Sequence, residues 1–163
     1  KNTQLELDMD EKPLPTVDQT LPHEPPMILL DRLVRKTETG LISEVQIRDG
    51  IPFFDDGVVP AFVGVEYMAQ TVAAYAGVES IGNGGQAEIG FLLGVQNFTS
   101  QCRSFFNGQI LQVAVDHDWG DSQLMHFMGV ITNSETKEVL QEAQLSAFKP
   151  ENSREFIDQF SNI

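Results

Sequence analysis

The sequence predicts an α+β domain in which an antiparallel sheet of about six strands curls round one long helix. Three observations carry that reading. A single long apolar run is bounded by helix signals, alternating apolar and polar stretches lie before and after it, and turn residues fill the breaks between those stretches. One helix flanked along the chain by strands and short turns packs as a sheet against that helix. Such a sheet covers only part of the helix, so a dimer is the expected assembly.

The helix is expected over Val59–Ile81, VPAFVGVEYMAQTVAAYAGVESI. Pro60 suits its entrance because it has no N–H to leave unpaired and its φ is already helical. Gly82, Gly84 and Gly85 end the run. Phe62, Val63, Val65, Met68, Ala69, Val72, Ala73, Ala74 and Ala76 leave no broad polar face, which predicts enclosure by other elements. Glu66 lies in the first turns of this helix, with Phe62 four residues before it and Ala69 and Ala73 on the turns that follow. A carboxylate among such neighbours loses solvation, a usual condition for acid–base chemistry. The plainer alternative is an acid at a helix N-terminus, favoured by the dipole and partly wet.

Along the rest of the chain, residues 1–20 are polar and acidic with little periodicity and are expected to form a loose arm. LPHEPP at Leu21–Pro26 is stiffened by its prolines, which also restrict the residues before them and so hold His23. Met27–Glu38 and Leu41–Arg48 then read as a hairpin turning at Thr39–Gly40. A loop, DGIPFFDDGVV, leads to the helix. Four further strands are expected at Gly90–Phe98, Gln109–Trp119, Ser122–Thr132 and Lys137–Phe148, separated by Asn107–Gly108, Gly120–Asp121 and Asn133–Thr136. The domain is therefore expected over 21–149, with 150–163 as a tail that is either a short helix or a loose end.

The chain has 163 residues and a formal net charge of −14, which argues against nucleic acid as a partner because phosphate binding needs clustered Lys and Arg. Cys102 is the only cysteine, so no intramolecular disulfide framework is possible and no cysteine-based metal site is spelled out. No apolar run reaches the ~18–20 residues of a membrane span. Neither a membrane nor a secretory signal is indicated, and a cytoplasmic location is expected.

LPHEPPMILLDRL, then PFF with a short loop, and above all VPAFVGVEYMAQ resemble the FabA/FabZ-type 3-hydroxyacyl-[acyl carrier protein] dehydratases of the hotdog fold. GVQNF and NGQIL extend the resemblance over about residues 21–149, and within the group the likeness is greatest to the ApeP-type aryl-polyene dehydratases. The resemblance implies elimination of water from a 3-hydroxyacyl thioester to give a trans-2-enoyl product, with no metal and no organic cofactor. In that family a histidine removes the α proton, and a helix acid from the other subunit serves the departing hydroxyl. Backbone N–H groups at the helix start polarise the thioester oxygen. Carried onto this chain, the acid is Glu66 and the thioester-oxygen donor is the N–H of Ala61.

The family's histidine-bearing loop before the helix corresponds here to FFDDGVVP, which holds no histidine. His23 is the substitute base if the chain is an enzyme; its alternative use is a hydrogen bond to nearby backbone. Phe54, Val59 and Gly94 are expected along the acyl tunnel, with core packing the alternative for Phe53 and Phe54 and a bulge for Gly94. Asp55 and Asp56 read as turn chemistry. His117, between Asp116 and Asp118, is expected to be solvated, and His126 to be a hydrogen-bonded strand histidine. The implied partners are a carrier protein docking on Arg32, Arg35 and Lys36 or on Arg103, and a second hotdog chain, identical or not. Two other functions fit the same fold: a partner subunit that completes a catalytic homologue, and an acyl thioesterase.

Overall fold

Alternation along the strands decides which side of the sheet meets the helix. In β6 (Ile110–Gly120) Leu111, Val113 and Val115 are buried while the residues between them are not. In β7 (Leu124–Asn133) Phe127, Gly129 and Ile131 turn the same way, as do Ala143 and Leu145 of β8 (Val139–Phe148). The computed structural model describes residues 13–85, 90–121, 123–151 and 158–159. Its remaining elements are α1 (Val17–Thr20), β1 (Arg32–Lys36), β2 (Gly40–Gln46), β3 (Val58–Pro60), α2 (Val63–Gly82), β4 (Phe91–Ser100) and β5 (Ser104–Phe106).

Six strands form one antiparallel sheet in the order β1-β2-β6-β7-β8-β4, and β3 pairs with β5 in a separate ribbon. The chain leaves the sheet after β2, runs through β3 and α2, and returns at the far edge as β4. This is the α+β arrangement of a sheet around one long helix that the pattern predicts. Tyr67, Met68, Thr71, Ala74 and Val78 bury the inner face of α2 against the sheet, with Ser43 of β2 and Thr71 sharing a buried hydrogen bond of 2.7 Å. Glu66, Ala69, Ala73 and Ala76 lie on a second face that is only half-buried, so the helix is not enclosed all round. The spacing of those four residues puts them along one line of the helix surface.

Two local expectations are corrected and a third holds. The helix begins at Val63 and not at Val59, because Val58 and Val59 are β-branched residues paired with Phe106 and Phe105 and Pro60 closes that strand opposite Ser104. Within the expected loose arm, Val17 and Thr20 are buried and α1 packs on α2, where a Cβ on Gly77 would stand 2.2 Å from the Thr20 carbonyl oxygen. Gly77 therefore permits that approach; residues 1–12 of the arm and most of the tail lie outside the described residues. The DDG stretch does form a tight turn, with φ of 48° at Asp56 and 83° at Gly57 and reciprocal Asp55–Val58 backbone bonds of 2.9 and 3.1 Å.

Tyr67 is 1% exposed and its hydroxyl has no partner among the described residues. Burial, helped by the Asp31 carboxylate, pushes its phenol up from 10.0 to about 12. In an unfolded chain the phenol ionises at its ordinary value, so the stability held below pH 10 falls as pH rises towards 12. Tyr67→Phe is expected to be neutral or stabilising at pH 7, since it removes an unpaired buried group. It should also flatten the fall in urea midpoint between pH 10 and 12. Identical alkaline profiles for the two proteins would refute this account of Tyr67.

Candidate active site

Glu66 and Gln70 are four residues apart on α2 and therefore neighbours on its surface. Gln70, 1% exposed, joins the helix to the segment that follows His23. Its Oε1 accepts the Leu29 N–H at 2.9 Å, while its Nε2 donates to the Met27 carbonyl at 2.7 Å and to Glu66 Oε1 at 3.2 Å. The Leu29 amide can only donate and the Met27 carbonyl can only accept, so the orientation of the Gln70 amide is determined. The half-buried Glu66 carboxylate is thereby tied to the Met27–Leu29 segment. Gln70 stands out in the sequence only as a polar residue one turn after Glu66, beside Thr71 in a mainly apolar run.

The start of the helix is held equally firmly. Antiparallel pairing of β3 and β5 continues one step past Pro60, so the Ala61 N–H donates to the Arg103 carbonyl at 3.0 Å. That N–H, expected from the resemblance to receive the thioester oxygen, is occupied by the Arg103 carbonyl in this structure. Gly64 N–H bonds to Ala61 O at 3.0 Å and Val65 N–H to Phe62 O at 3.2 Å. The N–H groups of Phe62 and Val63 take no acceptor among the described residues, as the first turn of a helix dictates. They carry the positive end of the helix dipole one turn from Glu66. The Phe62 side chain is 70% exposed beside them.

His23 is half-buried and its Nδ1 is enclosed without a partner among the described residues. Neither the backbone hydrogen bond considered for it nor any hydrogen bond or ion pair to Glu66 is formed among the described residues. Of the three expected tunnel residues, Val59 is enclosed in the core, Phe54 packs half-buried against it, and Gly94 lies on β4 at a bulge between Leu92 and Gly94. A cavity of about 50 Å³ lies along the small-residue face of α2, between Ala69, Ala73 and Ala76 and the side chains of Leu92, Met125 and Phe148. A larger open cleft of about 650 Å³ lies between Leu14 and β1, and no residue of α2 lines it.

The other histidines stand apart from this site. His117 is half-buried against Phe127 at a ring distance of 5.3 Å, contrary to the expectation of solvation. His126 stacks on Trp119 at 3.6 Å and shares a 3.0 Å hydrogen bond with the Ser146 hydroxyl, as expected of a strand histidine. Among the described residues no group of three or more His, Cys, Asp or Glu is disposed to hold a metal ion. Nor is any described helix long and apolar enough to cross a membrane. The expected basic patch is largely consumed: Arg32 pairs with Glu44 at 2.9 Å and Lys36 with Glu79 at 2.6 Å. Arg35 and Arg103 form no ion pair among the described residues.

Solved structures define the class as the hotdog fold shared by thioesterases and dehydratases. Zebra fish thioesterase superfamily member 2 is similar with a TM-score of 0.61 at 8% identity, over 80% of this chain and 88% of its own. The E. coli PaaI protein of the phenylacetic acid degradation operon is similar with a TM-score of 0.58 at 7% identity, over 74% and 80%. At such identities the likeness shows the fold alone. The model of the ApeP-like family, described as ApeP dehydratase, matches residues 15–158, so the chain belongs to that family of dehydratases and is a hydro-lyase by class. A chain of the dehydratase heterocomplex ApeI:P from Xenorhabdus doucetiae is 29% identical, with a TM-score of 0.80 over 89% of this chain and 97% of its own. Comparison with curated protein sequences found no match.

Gln70→Leu tests the link between helix and entrance segment. It leaves the buried Leu29 N–H without its acceptor, a loss expected to cost about 1–3 kcal/mol. Urea unfolding should show that fall, and hydrogen exchange at Leu29 should quicken. Unchanged midpoint and exchange would mean that Gln70 does not hold the segment.

Proposed function

We propose that the protein dehydrates 3-hydroxyacyl chains carried on acyl carrier protein, giving trans-2-enoyl chains in aryl-polyene lipid biosynthesis. The observation that carries this reading is Glu66 itself: a half-buried carboxylate bonded to Gln70, one turn from two uncommitted helix-start amides. A base takes the proton α to the thioester carbonyl and the electron pair moves towards the thioester oxygen, where the helix-start N–H groups receive the charge. The pair then forms the double bond as the C3 hydroxyl leaves, and Glu66 supplies the proton that makes it water.

The base is His23 or a histidine of a second hotdog chain. The second source is favoured by the absence of histidine from FFDDGVVP, by the lack of a His23–Glu66 hydrogen bond and by the heterocomplex of the 29% identical relative. Edge strand β4 exposes Leu92 at 42% and Leu93 at 59%, which supports assembly with another chain there. A carrier protein is acidic, so in this reading it docks at Arg103, whose carbonyl holds the helix entrance and whose charge is not paired among the described residues. A partner-subunit role without turnover of its own is the second reading, and the missing histidine favours it as well.

Single-turnover mass spectrometry with 3-hydroxyacyl carrier protein tests both, using the protein alone and together with a histidine-loop hotdog chain. Loss of one water is expected, slowed about 100-fold or more by Glu66→Gln. A matching loss in His23→Ala assigns the base to this chain, and an unaffected His23→Ala assigns it to the partner. Release of free acid would indicate a thioesterase. Full activity in Glu66→Gln contradicts the proposal.

A further inference from the structure

Gln141 on β8 faces inward in register with Ala143 and Leu145 and is 1% exposed. Its Nε2 donates to the Ala61 carbonyl at 2.7 Å and to the Ser100 hydroxyl at 3.1 Å. Because the Ala61 carbonyl can only accept, the amide has one orientation, and Oε1 is left enclosed without a partner among the described residues. That oxygen sits against the first turn of α2, where a Cβ on Gly64 would stand 1.9 Å from it. A leucine would fill this space without burying an unpaired oxygen, so packing alone does not explain a glutamine here. What the amide holds is one peptide plane. The Ala61–Phe62 peptide is trans, so fixing its C=O towards Gln141 and Gly64 N–H turns the Phe62 N–H the opposite way.

We propose that Gln141 is a positioning residue that aims the Phe62 N–H at the thioester oxygen of the substrate. The proposal rests on the dehydration reading and deepens it. Arg103 fixes the preceding peptide through Ala61 N–H, and Gln141 fixes the next one, so the first free donor of the helix is locked from both sides. Charge that develops on the thioester oxygen then meets a donor that needs no reorientation. Gly64 is required because any side chain at that position displaces the Gln141 amide.

The test uses Gln141→Met, which keeps length and volume but removes the donor, in the full chain together with the hotdog partner. Dehydration kinetics should show kcat lowered about 10- to 100-fold, within the range for loss of an oxyanion donor, with KM within about twofold because the contact strengthens in the transition state. Gly64→Ala should reproduce the kcat loss. A second readout does not need turnover. The Phe62 amide proton resonance should move downfield when butyryl-pantetheine, which has no hydroxyl to eliminate, saturates the unmutated protein, and that movement should be lost in Gln141→Met. Unchanged kcat in Gln141→Met, or a Phe62 amide that stays put at saturation or moves equally in both proteins, overturns the proposal. If the unmutated protein does not dehydrate any substrate, the functional reading fails and the amide shift alone decides the role of Gln141.

Discussion

Both ends of the Gln70 side-chain amide are bonded to backbone of a segment about forty positions earlier, and the geometry of the site depends on that attachment. Without it nothing among the described hydrogen bonds holds Met27 and Leu29 on the helix, and the Glu66 carboxylate loses the donor that fixes one of its oxygens. A buried amide of this kind has no neutral way to fail, because every broken bond leaves a group shielded from water. The same interaction therefore sets the register of the proline-rich segment on α2 and the position of the acid.

Gln141 repeats the device at the helix start. It ties β8, the end of β4 and the Ala61 carbonyl into one contact, while the β3–β5 ribbon occupies the Ala61 N–H. Two glutamines on different elements thus hold the acid and the donor amides one helical turn apart. Elimination from a thioester needs groups of those two kinds, one to serve the leaving hydroxyl and one to receive charge on the carbonyl oxygen. Charge is distributed to match. Arg32, Lys36 and Arg48 neutralise acids of their own chain, leaving Arg103 beside the helix entrance without an ion pair among the described residues, on a chain of net charge −14.

Strand and helix content were legible because each rests on local pattern. Leu111, Val113 and Val115 alternate with polar residues, and the apolar run around Met68 and Val72 is too long for a strand. The helix boundary was misread at Pro60, since a proline that can open a helix can equally end an edge strand, and only the pairing with Ser104 decides between them. Enclosure was overestimated because Ala69, Ala73 and Ala76 look the same in sequence whether they meet a sheet or a trough. Glu66 was visible as an acid among apolar residues. Gln141 was not: its inward direction depends on the register of β8, which is irregular between Ile131 and Thr132 of its neighbour and buries Leu140 and Gln141 in succession. The engagement of the Ala61 N–H was hidden for the same reason, being a contact with a residue more than forty positions away.

The central claim is that Glu66 meets the departing hydroxyl while the helix-start amides hold the thioester oxygen. A crystal structure of the assembled protein with a 3-hydroxyacyl-pantetheine amide, which keeps the hydroxyl and the carbonyl but eliminates poorly, tests it directly. The account predicts the C3 hydroxyl within about 2.6–3.2 Å of the Glu66 carboxylate, with the carbonyl oxygen turned to the Phe62 and Val63 amides. A ligand bound in the cleft beside β1, or one with its hydroxyl turned away from Glu66, would contradict it.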